Sequence, residues 1–252
     1  MSEPVSRDHY SYTLYADPET ARQFDDRRFG GPIGELVAST QAGVLADFVG
    51  RVNGRSILDV GTGTGRAALL MARAGATVTG VDASDEMLAI ARRRALDAGV
   101  SSVTFLTGDA HRLSFSDRSF DVAISLRVIM HTPRWTACVA ELCRVADQLV
   151  ILDYPAARSV ASWQSFARRL IAAMGRRTEP YRVFSDAEVD AALEQGGFRV
   201  RRRHRHFVLP IAVHKAINSR RVTVAVERWL ERIGLLRLFG SPVTVVAERC
   251  EP

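Results

Sequence analysis

Two hydrophobic periods alternate along the chain. Short apolar runs at residues 57–60, 77–81, 103–107, 120–125 and 148–153 have the length and β-branched content of buried strands. Between them, Arg66–Arg73, Asp85–Ala98 and Trp135–Val145 place apolar residues three and four apart, which is helical spacing. Strand and helix in alternation predict a parallel sheet with helices on both faces. The alternation stops after Asp153 and resumes at Ser185-Asp186-Ala187-Glu188, a capping box that opens a helix to about Glu194. Gly196-Gly197 ends that helix, Phe198 to Phe207 reads as strand six and Val243 to Glu248 as strand seven.

Three segments stand outside this rhythm. Residues 1–31 hold Tyr10, Tyr12, Tyr15, Phe24 and Phe29. Asp17-Pro18 reads there as an N-cap with proline at the first helical position, for a helix to about Arg28. Gly30-Gly31-Pro32 breaks it, and a second helix runs from about Ile33 to Val49. Residues 154–184 carry an apolar stripe of Trp163, Phe166, Leu170 and Ile171 that ends at Gly175. Within residues 210–240, Val222, Val226, Trp229 and Ile233 fall on one helical face. The expected organisation is an N-terminal helical lid (1–50), a core (51–153), a cap insertion (154–184) and a C-terminal part of the core (185–252) with a basic amphipathic insertion at 210–240. Packing of the first helices against the sheet edge is the plainer alternative to a lid.

The chemistry concentrates in Ile57-Leu58-Asp59-Val60-Gly61-Thr62-Gly63-Thr64-Gly65-Arg66. An apolar strand ends in an acid, three glycines alternate with threonines, and a helix begins. Glycines let the backbone turn sharply and approach a ligand closely, and the helix points its unpaired N–H groups at the turn. The second strand ends in Asp82, about 20 residues beyond the first glycine, the place of a carboxylate that accepts from ribose hydroxyls. Ser84 serves as N-cap of the next helix and leaves Asp82 for a ligand; a surface-turn aspartate is the alternative. The third strand ends in Gly108-Asp109-Ala110, where an acid could accept from an adenine amino group. The turn alone also satisfies the dinucleotide form G-x-G-x-x-A at Gly63 to Ala68.

Together these pieces resemble the class I S-adenosylmethionine-dependent methyltransferases, over about Ile57 to Asp153, and within them the small-molecule group that includes quinone-biosynthesis methyltransferases. Asp59, Gly61, Gly63 and Gly65 match the family's D-x-G-x-G-x-G, Asp82 its ribose acid, and Gly108, Asp109 and Ala110 its third-strand element. The resemblance implies an α/β fold: a Rossmann-like seven-stranded methyltransferase sheet, strand seven antiparallel between five and six, helices on both faces and a helical cap. It implies S-adenosylmethionine over a nicotinamide cofactor, held by the motif glycines Gly61, Gly63 and Gly65 together with Asp59, Thr62, Asp82, Ala83, Met87, Asp109 and Ala110. Ser125 and Leu126 would meet the methionine part through their carbonyls. His131 stands where the family often has a histidine, with Tyr154 at the tip of strand five as second candidate for general base. A hydrogen-bonded helix-end histidine is the alternative for His131. Arg127 departs from the family pattern and suggests an anionic or carbonyl-bearing acceptor. His131 and Tyr154 join it as candidate acceptor contacts.

Composition refines this picture. The 252 residues are 47% hydrophobic and 25% charged, ordinary for a soluble domain with a sizeable core. No run is long and apolar enough to span a bilayer and the N-terminus shows no signal-type apolar region, so a cytoplasmic location is expected. Cys138, Cys143 and Cys250 match no zinc spacing, and no metal is expected. The net charge is +6, with 11 Lys plus Arg against 2 Glu between Arg199 and Arg237. Strand alternation predicts Arg199, Arg201, Arg203 and Arg205 on one face, either a solvated sheet edge or an attraction to phosphates. The neighbouring amphipathic stretch favours an anionic membrane surface over nucleic acid. With the resemblance, these features imply an S-adenosylmethionine-dependent methyltransferase for a small, lipophilic or aromatic acceptor. An RNA or protein methyltransferase and a non-catalytic cofactor-binding module are the alternatives.

Overall fold

The computed structural model describes Asp25, residues 28–159 and residues 181–250. Its elements run α1 (Gly31–Val49), β1 (Ser56–Val60), α2 (Arg66–Arg73), β2 (Thr77–Asp82), α3 (Asp85–Asp97), β3 (Val103–Thr107), β4 (Phe120–Ser125), α4 (Trp135–Val145) and β5 (Ala146–Tyr154). After residue 180 come α5 (Asp186–Gln195), β6 (Phe198–Phe207), α6 (Ile211–Ile217), α7 (Arg220–Arg232), α8 (Leu235–Phe239) and β7 (Ser241–Arg249). The seven strands lie in the order β3-β2-β1-β4-β5-β7-β6. β1 to β5 pair in parallel, and β7 runs antiparallel to both β5 and β6. Strand order reverses at β1, so β2 and β4 diverge from it and open a crevice at their carboxyl ends.

The apolar runs bury both faces of each central strand. Ile57 and Leu58 are adjacent and fully buried but face opposite sides of the sheet. Leu58, Ala123, Val150 and Leu152 pack with Trp135, Leu142, Leu193 and Phe198 beneath α4 and α5. Ile57, Val122, Ile124 and Ile151 pack with Leu45, Met71, Leu88 and Ala91 of α1, α2 and α3. The same alternation sends Tyr154 to the α4–α5 side. Cys138 and Cys143 are buried in that layer, and burial pushes both thiols up to about 12, which keeps them protonated and inert.

Local signals act where the sequence places them. The Ser84 hydroxyl accepts from Met87 N at 3.1 Å and caps α3. Ser185 and Glu188 form both halves of the capping box on α5. β5 is longer than expected at both ends, because Leu149 to Tyr154 pair with Val243 to Glu248 of β7. The proposed start of the first helix at Asp17-Pro18 and the stripe of Trp163, Phe166, Leu170 and Ile171 lie outside the described residues. The described ends of residues 154–184 are tied together: Phe184 N donates to Pro155 O at 2.9 Å and Ala157 N to Phe184 O at 2.7 Å.

The arginine strand needs a correction. Val200 pairs with Ala247 and Arg202 with the next residue, Val246, so Arg201 is an extra residue in the ladder. A one-residue bulge inverts the alternation beyond it. Arg203 and Arg205 therefore reach the acids of α5: Arg203 pairs with Asp190, and Arg205 with Asp186 at 2.6 Å. Arg202 turns to the other side and pairs with Asp47 of α1 at 2.6 Å. The expected single face of Arg199, Arg201, Arg203 and Arg205 does not form, and most of its charge is met within the chain.

Candidate active site

The crevice at the reversal point is lined by the glycine turn, the tip of β2, the turn after β3 and the segment after β4. Gly61, Gly63, Asp82, Ala83, Met87, Gly108, Ala110, Leu126, Arg127 and His131 all border it. Sequence reasoning named all of these except Gly108 as a contact. The structure adds Arg28, His111, Val128 and Thr132. His111 and Thr132 sit in irregular turns, where no periodicity marks them, and Arg28 comes from a segment distant in sequence.

Two glycines show why the turn has this composition. Gly63 has φ +54°, and a Cβ there would project into open space at the crevice. Gly65 has φ +78° as N-cap of α2, and a Cβ there would stand 3.0 Å from Ala91 and Phe105. The first glycine keeps room for a ligand; the second lets α2 close on α3 and β3.

Beneath the turn lie Asp59 and Thr62, which do not border the crevice. Thr62 Oγ1 donates to Asp59 Oδ2 at 2.7 Å, and both are buried. Burial pushes the Asp59 carboxyl up to about 6, with the Thr62 hydrogen bond opposing it. These two residues brace the turn from inside.

Asp82 is not free, as its neighbour's capping role suggested, but held in place. Gly63 N donates to Oδ2 at 2.7 Å and Ser84 N to Oδ1 at 3.0 Å. Burial raises its carboxyl, and the backbone N–H bonds of Ser84, Gly63 and Ala83 act against this. Each carboxylate oxygen has more than one lone pair, so an oriented acceptor remains for a ligand. Asp109 is turned toward its own loop: its Oδ1 lies 2.7 Å from His111 Nδ1 and accepts from His111 N at 2.9 Å. Ser125 is fully buried, its hydroxyl donating to Val60 O at 3.1 Å, while Leu126 borders the crevice.

The two candidate bases separate. His131 faces the crevice, and its backbone N donates to Val128 O at 2.8 Å. Tyr154 is fully buried, packs edge-on against Phe184 and donates its hydroxyl to Asp186 Oδ1 at 2.8 Å. Burial first, and Asp186 second, drive its phenol well above the usual range. It is a core residue away from the crevice.

Arg127 has φ +64°, a rare conformation for a side-chain-bearing residue. Its N–H is held by the Asp153 carboxylate at the end of β5. Among the described residues, Arg127 Nε and Asp153 Oδ2 are both buried without a hydrogen-bond partner, a costly state in a folded protein unless a ligand or a function explains it. The sequence does not single out Asp153, although it stands one residue before the end of β5 much as Asp82 ends β2. Burial raises its carboxyl, and the charges of Arg127 and Arg28 oppose the shift. No group of three or more His, Cys, Asp or Glu suited to a metal occurs among the described residues.

A doubly wound sheet with an antiparallel seventh strand, a glycine turn before α2 and an acid at the tip of β2 define a methyltransferase-type domain. The chain belongs to the class I S-adenosylmethionine-dependent methyltransferase family: residues 57–148 match the family model described as methyltransferase domain. The magnesium-protoporphyrin O-methyltransferase of Synechocystis sp. is 30% identical over 161 residues, covering 60% of this chain and 67% of that one. The mitochondrial ubiquinone biosynthesis O-methyltransferase of Arabidopsis thaliana is 40% identical over 99 residues, 39% of this chain and 30% of that protein. The chain spans about a third to a half of the length of the curated relatives it matches first. In fold it is similar to the crystal structure of magnesium protoporphyrin IX methyltransferase from Synechocystis PCC 6803 with bound SAH, with a TM-score of 0.67 and 22% identity over 94% of this chain and 99% of that one.

Proposed function

We propose that this protein transfers the methyl group of S-adenosylmethionine to a small, lipophilic or aromatic acceptor. The single observation that carries the reading is the crevice itself: Gly63 leaves it open where a side chain would fill it, and the Asp82 carboxylate beside it is oriented by two backbone N–H groups. Asp82 would accept from the ribose hydroxyls, Ala83 and Met87 flank it, and Gly108, Ala110 and His111 border the adenine end. The positive end of α2 favours an anionic group next to the glycine turn. When bound, the cofactor supplies a methyl group on a sulfonium. The chain's part is alignment, since displacement at carbon is mainly a positioning task.

At the other end of the crevice, Arg127 and His131 face the acceptor. The unpaired buried Nε of Arg127 is a donor for a carbonyl or anionic oxygen on it, and His131 is the group placed to take a proton where the acceptor holds one at neutral pH. Arg28 at the same crevice supports a lid role for the N-terminal segment. Relatives named for ubiquinone, demethylmenaquinone and magnesium-protoporphyrin methylation support a lipophilic acceptor, which extends the reading to peripheral contact with an anionic membrane.

The test is incubation with methyl-labelled S-adenosylmethionine and an extract of host cells, partitioned between organic solvent and water. Label in the organic phase is the expected result. Label held in water on nuclease- or protease-sensitive material would transfer the assignment to an RNA or protein acceptor. Cofactor binding without any transfer would favour a non-catalytic module.

A further inference from the structure

The segment between residues 213 and 239 holds most of the exposed apolar surface. Of nine exposed large hydrophobic side chains among the described residues, seven lie here, including Val222, Trp229, Ile233, Leu238 and Phe239; Trp229 and Leu238 are each 58% exposed. α7 meets the body of the protein through Thr223 and Leu230, both buried. Val222, Trp229 and Ile233 recur at seven and four residues and form a stripe beside that inner face.

A basic stripe accompanies the apolar one. Arg221, Arg228 and Arg232 each precede a member of the apolar set by one position, which places them about 100° around the helix from it. All three are exposed, as are Arg220 at the start of α7 and Arg237 in α8. Of the two acids in α7 only Glu231 is exposed, against these five arginines; Glu227 is turned inward, its carboxylate accepting from Val208 N at 2.8 Å and Leu209 N at 3.0 Å and lying 2.8 Å from His214 Nε2. Among the described residues, none of these five arginines enters an ion pair, in contrast to the arginines of β6.

Exposed Trp, Phe, Leu and Ile bordered by an excess of arginine is the pattern of a helix that lies in a lipid–water interface. A polyanion such as RNA would use the charge and leave the apolar stripe unexplained; a bilayer with anionic headgroups uses both. No helix among the described residues is long and apolar enough to cross a membrane. We propose that α6, α7 and α8 form a peripheral docking face for an anionic lipid bilayer, with Trp229, Ile233 and Leu238 entering the headgroup region and Arg221, Arg228 and Arg232 meeting the phosphates. This deepens the membrane contact inferred above and is independent of methyl transfer.

The test is sedimentation of the full chain with vesicles of phosphatidylglycerol and phosphatidylcholine. Binding at low salt, release at high salt and no binding to pure phosphatidylcholine are expected. Arg228→Gln and Arg232→Gln should each lower partitioning about fivefold. Trp229→Ser should lower it with the salt dependence kept, and Leu96→Ser, an exposed apolar residue on α3, should leave it unchanged. Absence of binding, or binding indifferent to these substitutions, overturns the proposal. So does a dimer in solution that Trp229→Ser dissolves, since a second copy would then cover the face. S-adenosylhomocysteine affinity, measured in parallel, should be equal in all variants. Vesicle binding by a protein that does not bind S-adenosylhomocysteine would sink the methyltransferase reading and leave the docking face standing.

Discussion

The Asp82 carboxylate accepts the Gly63 N–H at 2.7 Å and so fastens the tip of β2 to the middle of the glycine turn. These residues are 19 apart in sequence: Gly63 lies in the turn that follows β1, and Asp82 ends β2. A turn and a strand tip thereby hold one fixed shape before any ligand arrives, which reduces the ordering cost of binding.

Gly63→Val should lower S-adenosylhomocysteine affinity by at least about tenfold while the protein stays folded. The side chain would enter open space at the crevice, and the positive φ adds strain of about 1–3 kcal/mol. Calorimetric titration with a parallel melting curve checks it. Retained affinity would show that the space beside Gly63 is not the cofactor's.

Asp59→Asn gives a pH-dependent change in stability. The Asp59 carboxyl is raised from 3.8 to about 6 in the folded protein, so the folded state holds a proton that the unfolded state has released. Its contribution is fully present below about pH 4 and is lost as pH rises through about 6. Asparagine keeps an acceptor for Thr62 and carries no charge. The variant should match the wild type near pH 4 and exceed it above pH 6, by up to about 3 kcal/mol. Melting curves across this range should show the difference growing with pH; a constant difference would argue against a buried, charged Asp59.

His131 and Tyr154 should respond oppositely. Tyr154→Phe removes one hydrogen bond to Asp186 in the core, at a cost of about 1 kcal/mol, and should leave methyl transfer unchanged. His131→Ala should lower transfer to a proton-bearing acceptor by about a hundredfold or more with S-adenosylhomocysteine affinity kept. Labelled-product formation and calorimetry separate the two effects. Loss of transfer in Tyr154→Phe would contradict its placement away from the crevice.

Most of the sheet was legible because burial on both faces leaves a plain mark: Ile57-Leu58 and Val122-Ala123-Ile124 have no polar position to disguise them. Caps such as Ser84 and Ser185 were legible because one side chain satisfies one N–H within three residues. The arginine strand was misread because a bulge leaves no signature in side-chain type; only the pairing of Val200 and Arg202 with consecutive residues of β7 shows it. In the crevice, residues tied to the strand tips, such as Gly63 and Asp82, could be named from spacing. Arg28, His111 and Thr132 could not, because tertiary folding alone brings them there. Tyr154 and Asp153 illustrate the parity of a strand: one step along β5 moves a side chain from the α4–α5 layer to the opposite face.

The cofactor assignment is tested most directly by titrating S-adenosylhomocysteine into wild type and Asp82→Ala. The wild type should bind, and removing the oriented carboxylate should weaken binding by at least about tenfold, the scale of charged hydrogen bonds lost from a partly buried site. Equal affinity in the two proteins, with both folded, would contradict Asp82 as the ribose acid; no binding by the wild type would contradict the crevice as a cofactor site.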